Sequence, residues 1–147
     1  QLRPESLGSI HIRSKDPNEQ PAIRFNFLHD PIDLRAMIDG VNIMRKIVEA
    51  SPMDPYRGEE FQPGKEISGD TAIENWIRNT SETAYHPMGT CRMGPGPNAV
   101  VDDKLKVYGL EGLRVADASI FPTMPSGNTN AASIMVGERA SDLIKAE

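Results

Sequence analysis

The sequence predicts an α+β chain, and three observations carry that expectation. Two runs near the start alternate apolar and polar residues, the period then lengthens to that of a helix over residues 30–50, and two more helical stretches follow. With 147 residues the chain is long enough for one domain with a core, and 12 Gly with 12 Pro imply many turns around it.

The alternating runs are "LGSIHIRS" (7–14) and "AIRFNFL" (22–28), read as a hairpin across the turn-rich "KDPNEQP". In "DPIDLRAMIDGVNIMRKIVEA" (30–50), Leu34, Met37, Ile38, Val41, Met44, Ile47 and Val48 recur at helical spacing. Asp30 is the expected N-cap, with Pro31 in the first turn. The stretch "SPMDPYRGEEFQPGK" (51–65) holds three prolines and two glycines and reads as a surface loop. Asp70 is expected to cap a shorter helix, "TAIENWIRNT". Residues 87–112 read mostly as loop, with weak strand at Val100–Val101 and Leu105–Val107, and "GLRVADAS" (112–119) as a short buried strand. A last helix is expected from about 130, with Ile134, Val136, Ala140, Leu143 and Ile144 as its apolar stripe and a close packing neighbour at Gly137.

The formal net charge of -5 argues against nucleic acid as a partner, because phosphate binding needs a basic surface. Cys91 is the single cysteine, which rules out an internal disulfide and a cysteine-rich zinc site; no metal site is expected, and a reducing, cytoplasmic location is. No apolar run is long enough to span a bilayer, and residues 1–20 are too polar for a signal peptide. A start on Gln1 rather than Met suggests a piece cut from a longer protein.

Two stretches carry the chemistry. In "TAYHPMGTCRMG" (83–94), Pro87 fixes the backbone after His86, and Gly89 allows the chain to approach another group closely. A rigid loop presenting one imidazole suits a general base; a structural histidine is the alternative. His11 and His29 read as surface or packing residues. Cys91 lies near His86, but a Cys/His nucleophile needs an orienting group and an oxyanion site, so a small buried hydrophobe is the favoured reading. A triad of His86, Asp117 and Ser119 lacks the G-x-S-x-G elbow. "GPGPNA" (94–99) matches a dinucleotide fingerprint only formally, since Pro95 and Pro97 have no N–H to offer a pyrophosphate, and it reads as a turn.

The second stretch is "VADAS" followed by "SGNTNAASIMVGE" (126–138). Gly127, Asn128 and Asn130 before an Ala-Ala helix start would leave bare N–H groups and a positive dipole end facing open space, an anion site. The alternative makes Asp117 an Asx-turn and Asn130 an N-cap.

Together "YHPMGTCRMG", "GLEGLRVADASIFPTMPSGNTNAASIMVGERASDLI" and the opening "LRPESLGSIHIRS" resemble the carboxyl-terminal part of the glucose-methanol-choline family of flavin-dependent oxidoreductases, on its choline and alcohol dehydrogenase side. The resemblance implies a fragment of a two-domain FAD enzyme. Residues 1–83 would be part of the substrate-binding domain, with its antiparallel sheet and covering helices. Residues 84–112 would be the active-site loop and return segment, and 113–147 the closing strand and helix of the FAD-binding domain. It also implies roles: His86 takes the alcohol proton, and Asn130 is the second active-site residue. Asp117 and Ala118 would meet the ribityl and phosphate region of FAD, and the Ala131 and Ala132 helix start the pyrimidine edge of its ring. The fingerprint for the ADP half of FAD is absent from the chain.

The implied reaction is oxidation of a small primary alcohol, choline-like or other, by hydride transfer to flavin N5. The electron acceptor (oxygen, a quinone or another) and any membrane association of the intact enzyme stay open. The isolated piece is expected to be inactive and, with apolar surface exposed, to self-associate. Two rival readings are a lyase of the same family without net redox chemistry and a non-catalytic binding module.

Overall fold

A computed structural model describes residues 1–147. In order, the chain forms β1 (Ser9–His11), β2 (Ala22–Arg24), α1 (Pro31–Val48), a 3-10 turn (Ser51–Met53), α2 (Asp70–Thr80), a second 3-10 turn (Ala118–Ile120) and α3 (Thr129–Lys145). Strands β1 and β2 pair as a two-stranded antiparallel sheet, as the alternation predicts, but each is only three residues long. The second run stops early because Asn26 and Leu28 turn left-handed, at φ 59° and 55°, and break the extended backbone.

The chain divides into two compact units. The first comprises Arg3–Gly8 and Arg24–Glu82 with Gln1; the second comprises Ser9–Ile23 and Thr83–Glu147 with Leu2.

In the first unit α1 and α2 pack around Ile38, Ile73 and Ile77, with Leu34, Met37, Val41 and Trp76 closing the cluster. Helix α1 starts where expected: the Asp30 carboxylate accepts from the Ile32 N–H at 2.9 Å, and Pro31 occupies a position whose N–H has no helical partner. One turn on, Asp33 is buried at 1% exposure, yet fully paired: it accepts from the Glu5 and Ser6 N–H groups at 2.9 and 2.8 Å and from the Gln1 amide at 2.6 Å. Burial pushes the Asp33 carboxyl up, but the Ser6 hydroxyl, the Glu5 and Ser6 N–H groups and the Gln1 amide outweigh it and hold it below its ordinary value. The loop after α1 is pinned by Arg45, which reaches Glu60 at 2.8 Å and the Gly64 carbonyl at 3.0 Å.

Two expectations for this unit need correction. Asp70 does not cap α2; it is the first helical residue, pairing with Arg35, and the cap position falls to Gly69 at φ 79°. Glycine takes that left-handed backbone without a Cβ penalty, and an acid in the first turn still complements the helix dipole. The stripe on α1 is also covered only in its first half, since Met44 and Ile47 remain 59% and 54% exposed.

In the second unit the core is Val101, Leu105, Ile120, Phe121, Val136 and Ala140. The strands expected at 100–101, 105–107 and 112–119 do not form. Only single bridges join Met93 to Val101, Val101 to Val107 and Lys106 to Arg114. Left-handed backbone at Leu105, Gly109 and Gly112 reverses the chain before a ladder can extend. Helix α3 buries Val136 and Ala140, while Ile134 and Ile144 stay 60% and 57% exposed. At Gly137 a Cβ would meet nothing within 4 Å, so the expected packing neighbour is not in this chain. The Glu147 side-chain carboxyl, just beyond α3, is held down to about 2 by Lys106 and Arg114. No helix is long and apolar enough to cross a membrane.

Candidate active site

Within the second unit, the loop that carries His86 is laced to the second 3-10 turn by backbone bonds. Gly89 N–H donates to the Ala118 carbonyl at 3.3 Å, Cys91 to Ser119 at 2.9 Å and Met93 to Ile120 at 2.7 Å, and the Arg92 guanidinium reaches the Pro122 carbonyl at 2.7 Å. This contact explains Gly89: its φ is 79°, and a Cβ there would stand 3.3 Å from the Phe121 carbonyl. Tyr85 is left-handed as well, at φ 59°, a conformation that costs a non-glycine residue about 1–2 kcal/mol. Its N–H is satisfied by Thr83 Oγ1 at 3.1 Å, so the strain sits immediately before His86 in a locally fixed turn.

His86 is half-buried, and its Nδ1 lies 3.2 Å from Thr129 Oγ1 in the first turn of α3. That turn is open. The N-cap is Asn128, whose side chain makes no cap bond, and the first turn contains no acid. The positive end of the helix is therefore neither capped nor neutralised. Asn130 is not the cap; it lies one residue inside the helix and is exposed, as is Ala131, while Ala132 turns into the core. Asp117 does form the Asx-turn: its carboxylate accepts from the Ser119 N–H at 2.8 Å and opens the 3-10 turn that carries Ala118.

The chain thus brings the His86 loop, the Asp117–Ala118 turn and the start of α3 into one unit. It does not assemble the His86, Asp117 and Ser119 triad, because Asp117 spends its carboxylate on the Ser119 backbone and the His86 ring meets Thr129. Cys91 is a free, half-buried thiol. "GPGPNA" is a turn, closed by Ala99 N–H on the Gly96 carbonyl at 2.9 Å. No cluster of three or more His, Cys, Asp or Glu could hold a metal ion. Sequence reasoning missed Thr129 as the partner of His86 and missed the uncommitted side chain of Asn128. The only signal for either was a position two or three residues before the Ala-Ala pair.

The GMC oxidoreductase family profile matches residues 4–137. The chain belongs to the GMC oxidoreductase family. Curated relatives in this family include the oxygen-dependent choline dehydrogenases of Chromohalobacter salexigens, 44% identical, and Cronobacter sakazakii, 45% identical, each over 98% of this chain. The match covers 26% of each, so the chain spans about a quarter of their length. Among solved structures, an FAD-dependent oxidoreductase from Chaetomium thermophilum superposes with a TM-score of 0.93 at 34% identity, over 99% of this chain and 26% of that one. Pyridoxine 4-oxidase from Mesorbium loti superposes with a TM-score of 0.91 at 29% identity, over 99% of this chain and 28% of that one. The GMC resemblance read from the motifs therefore holds, and so does the α+β carboxyl-terminal fold it implies, with three helices and a two-stranded sheet, except that no strand forms in residues 113–147 ahead of α3.

Proposed function

We propose that this GMC chain is the carboxyl-terminal part of an FAD-dependent oxidoreductase that oxidises a primary alcohol, with choline the first candidate. The substrate class is supported by the choline dehydrogenase relatives at 44% and 45% identity. The observation that carries the mechanism is the half-buried His86 imidazole, fixed beside an uncapped helix start.

The residues at that helix start fit FAD. A helix start that Asn128 leaves uncapped and no acid neutralises suits a ring that becomes negatively charged on reduction, and Ala131 leaves room for close approach. Ala131 and Ala132 would face the pyrimidine edge, and Asp117 and Ala118 the ribityl and phosphate region. Bound FAD supplies the hydride acceptor at N5.

His86 takes the hydroxyl proton as the hydride leaves the adjacent carbon, so the substrate never has to develop a free alkoxide. Asn130 holds the substrate oxygen and keeps the reacting carbon in line, with Asn128 beside it as a second amide free to share that task. Residues 1–83 serve the substrate side, 84–112 deliver the base and return the chain, and 113–147 close the cofactor side.

The test is a visible absorption scan of the full-length protein before and after anaerobic addition of alcohols, choline included. Flavin bands that bleach are the expected result, with His86→Ala slowing reduction by about two to four orders of magnitude. Bands that stay oxidised with every alcohol would overturn the redox reading, and near wild-type reduction in the variant would overturn the role of His86.

A further inference from the structure

We infer that Thr129 is a positioning residue for His86: its hydroxyl oxygen accepts the Nδ1 proton and so keeps the Nε2 lone pair free to act as the base. The inference rests on His86 being the base, and it adds what selects the working nitrogen.

A neutral imidazole carries one proton, and the bond made by one nitrogen decides which nitrogen has it. The structure offers Nδ1 one partner, Thr129 Oγ1, at 3.2 Å. If the hydroxyl donated to Nδ1, the ring proton would lie on Nε2 and no lone pair would remain for the substrate. Taking up a proton would then also force two hydrogens into the same gap. With Thr129 accepting, Nδ1–H is satisfied in both the neutral and the protonated ring, and His86 can gain and lose the Nε2 proton without moving.

Thr129 is well placed to hold that geometry. It is half-buried in the first turn of α3, its carbonyl accepts from the Ser133 hydroxyl at 2.8 Å, and a β-branched side chain has few rotamers to choose from. The acceptor is thus anchored to a helix of 17 residues rather than to the loop it orients.

The experiment uses the full-length, flavin-loaded protein labelled with 15N-histidine, compared with Thr129→Val and Thr129→Ser, and with His86→Ala to assign the signal. Wild type should show His86 as the Nδ1–H tautomer. Thr129→Val, which keeps the shape and removes the acceptor, should shift it toward Nε2–H, slow flavin reduction by choline about tenfold and move the pH profile of that rate. Thr129→Ser should restore tautomer and rate, with flavin absorbance reporting that each variant is folded. Thr129→Val with an unchanged tautomer and pH profile would overturn the inference, as would a serine variant no better than valine. If His86→Ala itself reduces flavin at the wild-type rate, the base assignment fails first.

Discussion

Asp33 should be the residue whose loss most loosens the start of the first unit, although it lies at neither end of any proposed chemistry. Its carboxylate is the only acceptor shown for the Glu5 and Ser6 N–H groups and is bonded by the Gln1 amide as well. Asp33→Asn keeps the shape but turns one acceptor oxygen into a donor facing the amides it served. Hydrogen bonds to an ionised acceptor contribute about 1.5–3 kcal/mol each; allowing for the oxygen that remains, a loss of about 2 kcal/mol is expected. Hydrogen exchange at the Glu5 and Ser6 amides of the full-length protein reads this locally, as a roughly 30-fold fall in protection at neutral pH. The folded pKa of Asp33 is depressed, so its stabilisation is fully present above the ordinary value of 3.8 and is lost as pH falls through the lower folded value. Wild-type protection should therefore decline in that acid window, while the asparagine variant shows no such step. Equal protection in the two proteins at neutral pH would refute the reasoning.

Two further outcomes follow from the candidate site. Gly89→Ala puts a Cβ on left-handed backbone, 3.3 Å from the Phe121 carbonyl, and should cost about 2 kcal/mol, seen as a lower thermal midpoint and weaker flavin retention. A variant as stable as wild type would mean the loop is not laced as described. Asn128→Ala should change helix stability by less than about 0.5 kcal/mol, against the usual loss of about 1 kcal/mol at a working cap, because the Asn128 side chain makes no cap bond. Measured beside Asn130→Ala, its flavin reduction rate also decides between the two amides: loss at Asn128 alone would move the substrate-oxygen role there.

What was legible in the sequence was local. Asp30 and Pro31 announce the start of α1 because a cap and a first-turn proline act within three residues of each other. The strands expected at 100–119 failed for the opposite reason: a strand exists only with a partner, and the left-handed Leu105 that cuts the pairing short carries no glycine or asparagine signal. Stripes mislead in a third way. Met44, Ile47, Ile134 and Ile144 obey the helical period and are still exposed, because periodicity marks a face as apolar without saying what covers it.

The candidate site divides along the same line. His86 between Tyr85 and Pro87, Gly89 three residues on, and small residues at a helix start could each be read from residue type. The bond from His86 to Thr129 could not, since it joins positions 43 apart. Two asparagines two residues apart also left the helix register ambiguous, and only the cap geometry separates Asn128 outside the helix from Asn130 within it. The structure adds that the His86 loop is positioned largely by its own backbone: three N–H groups donate to consecutive carbonyls of residues 118–120, and Tyr85 and Gly89 supply the left-handed turns that bring them there. Side chains along 87–93 are then free to vary wherever they make no contact of their own. The imidazole keeps its place because the backbone on one side and Thr129 on the other hold it independently.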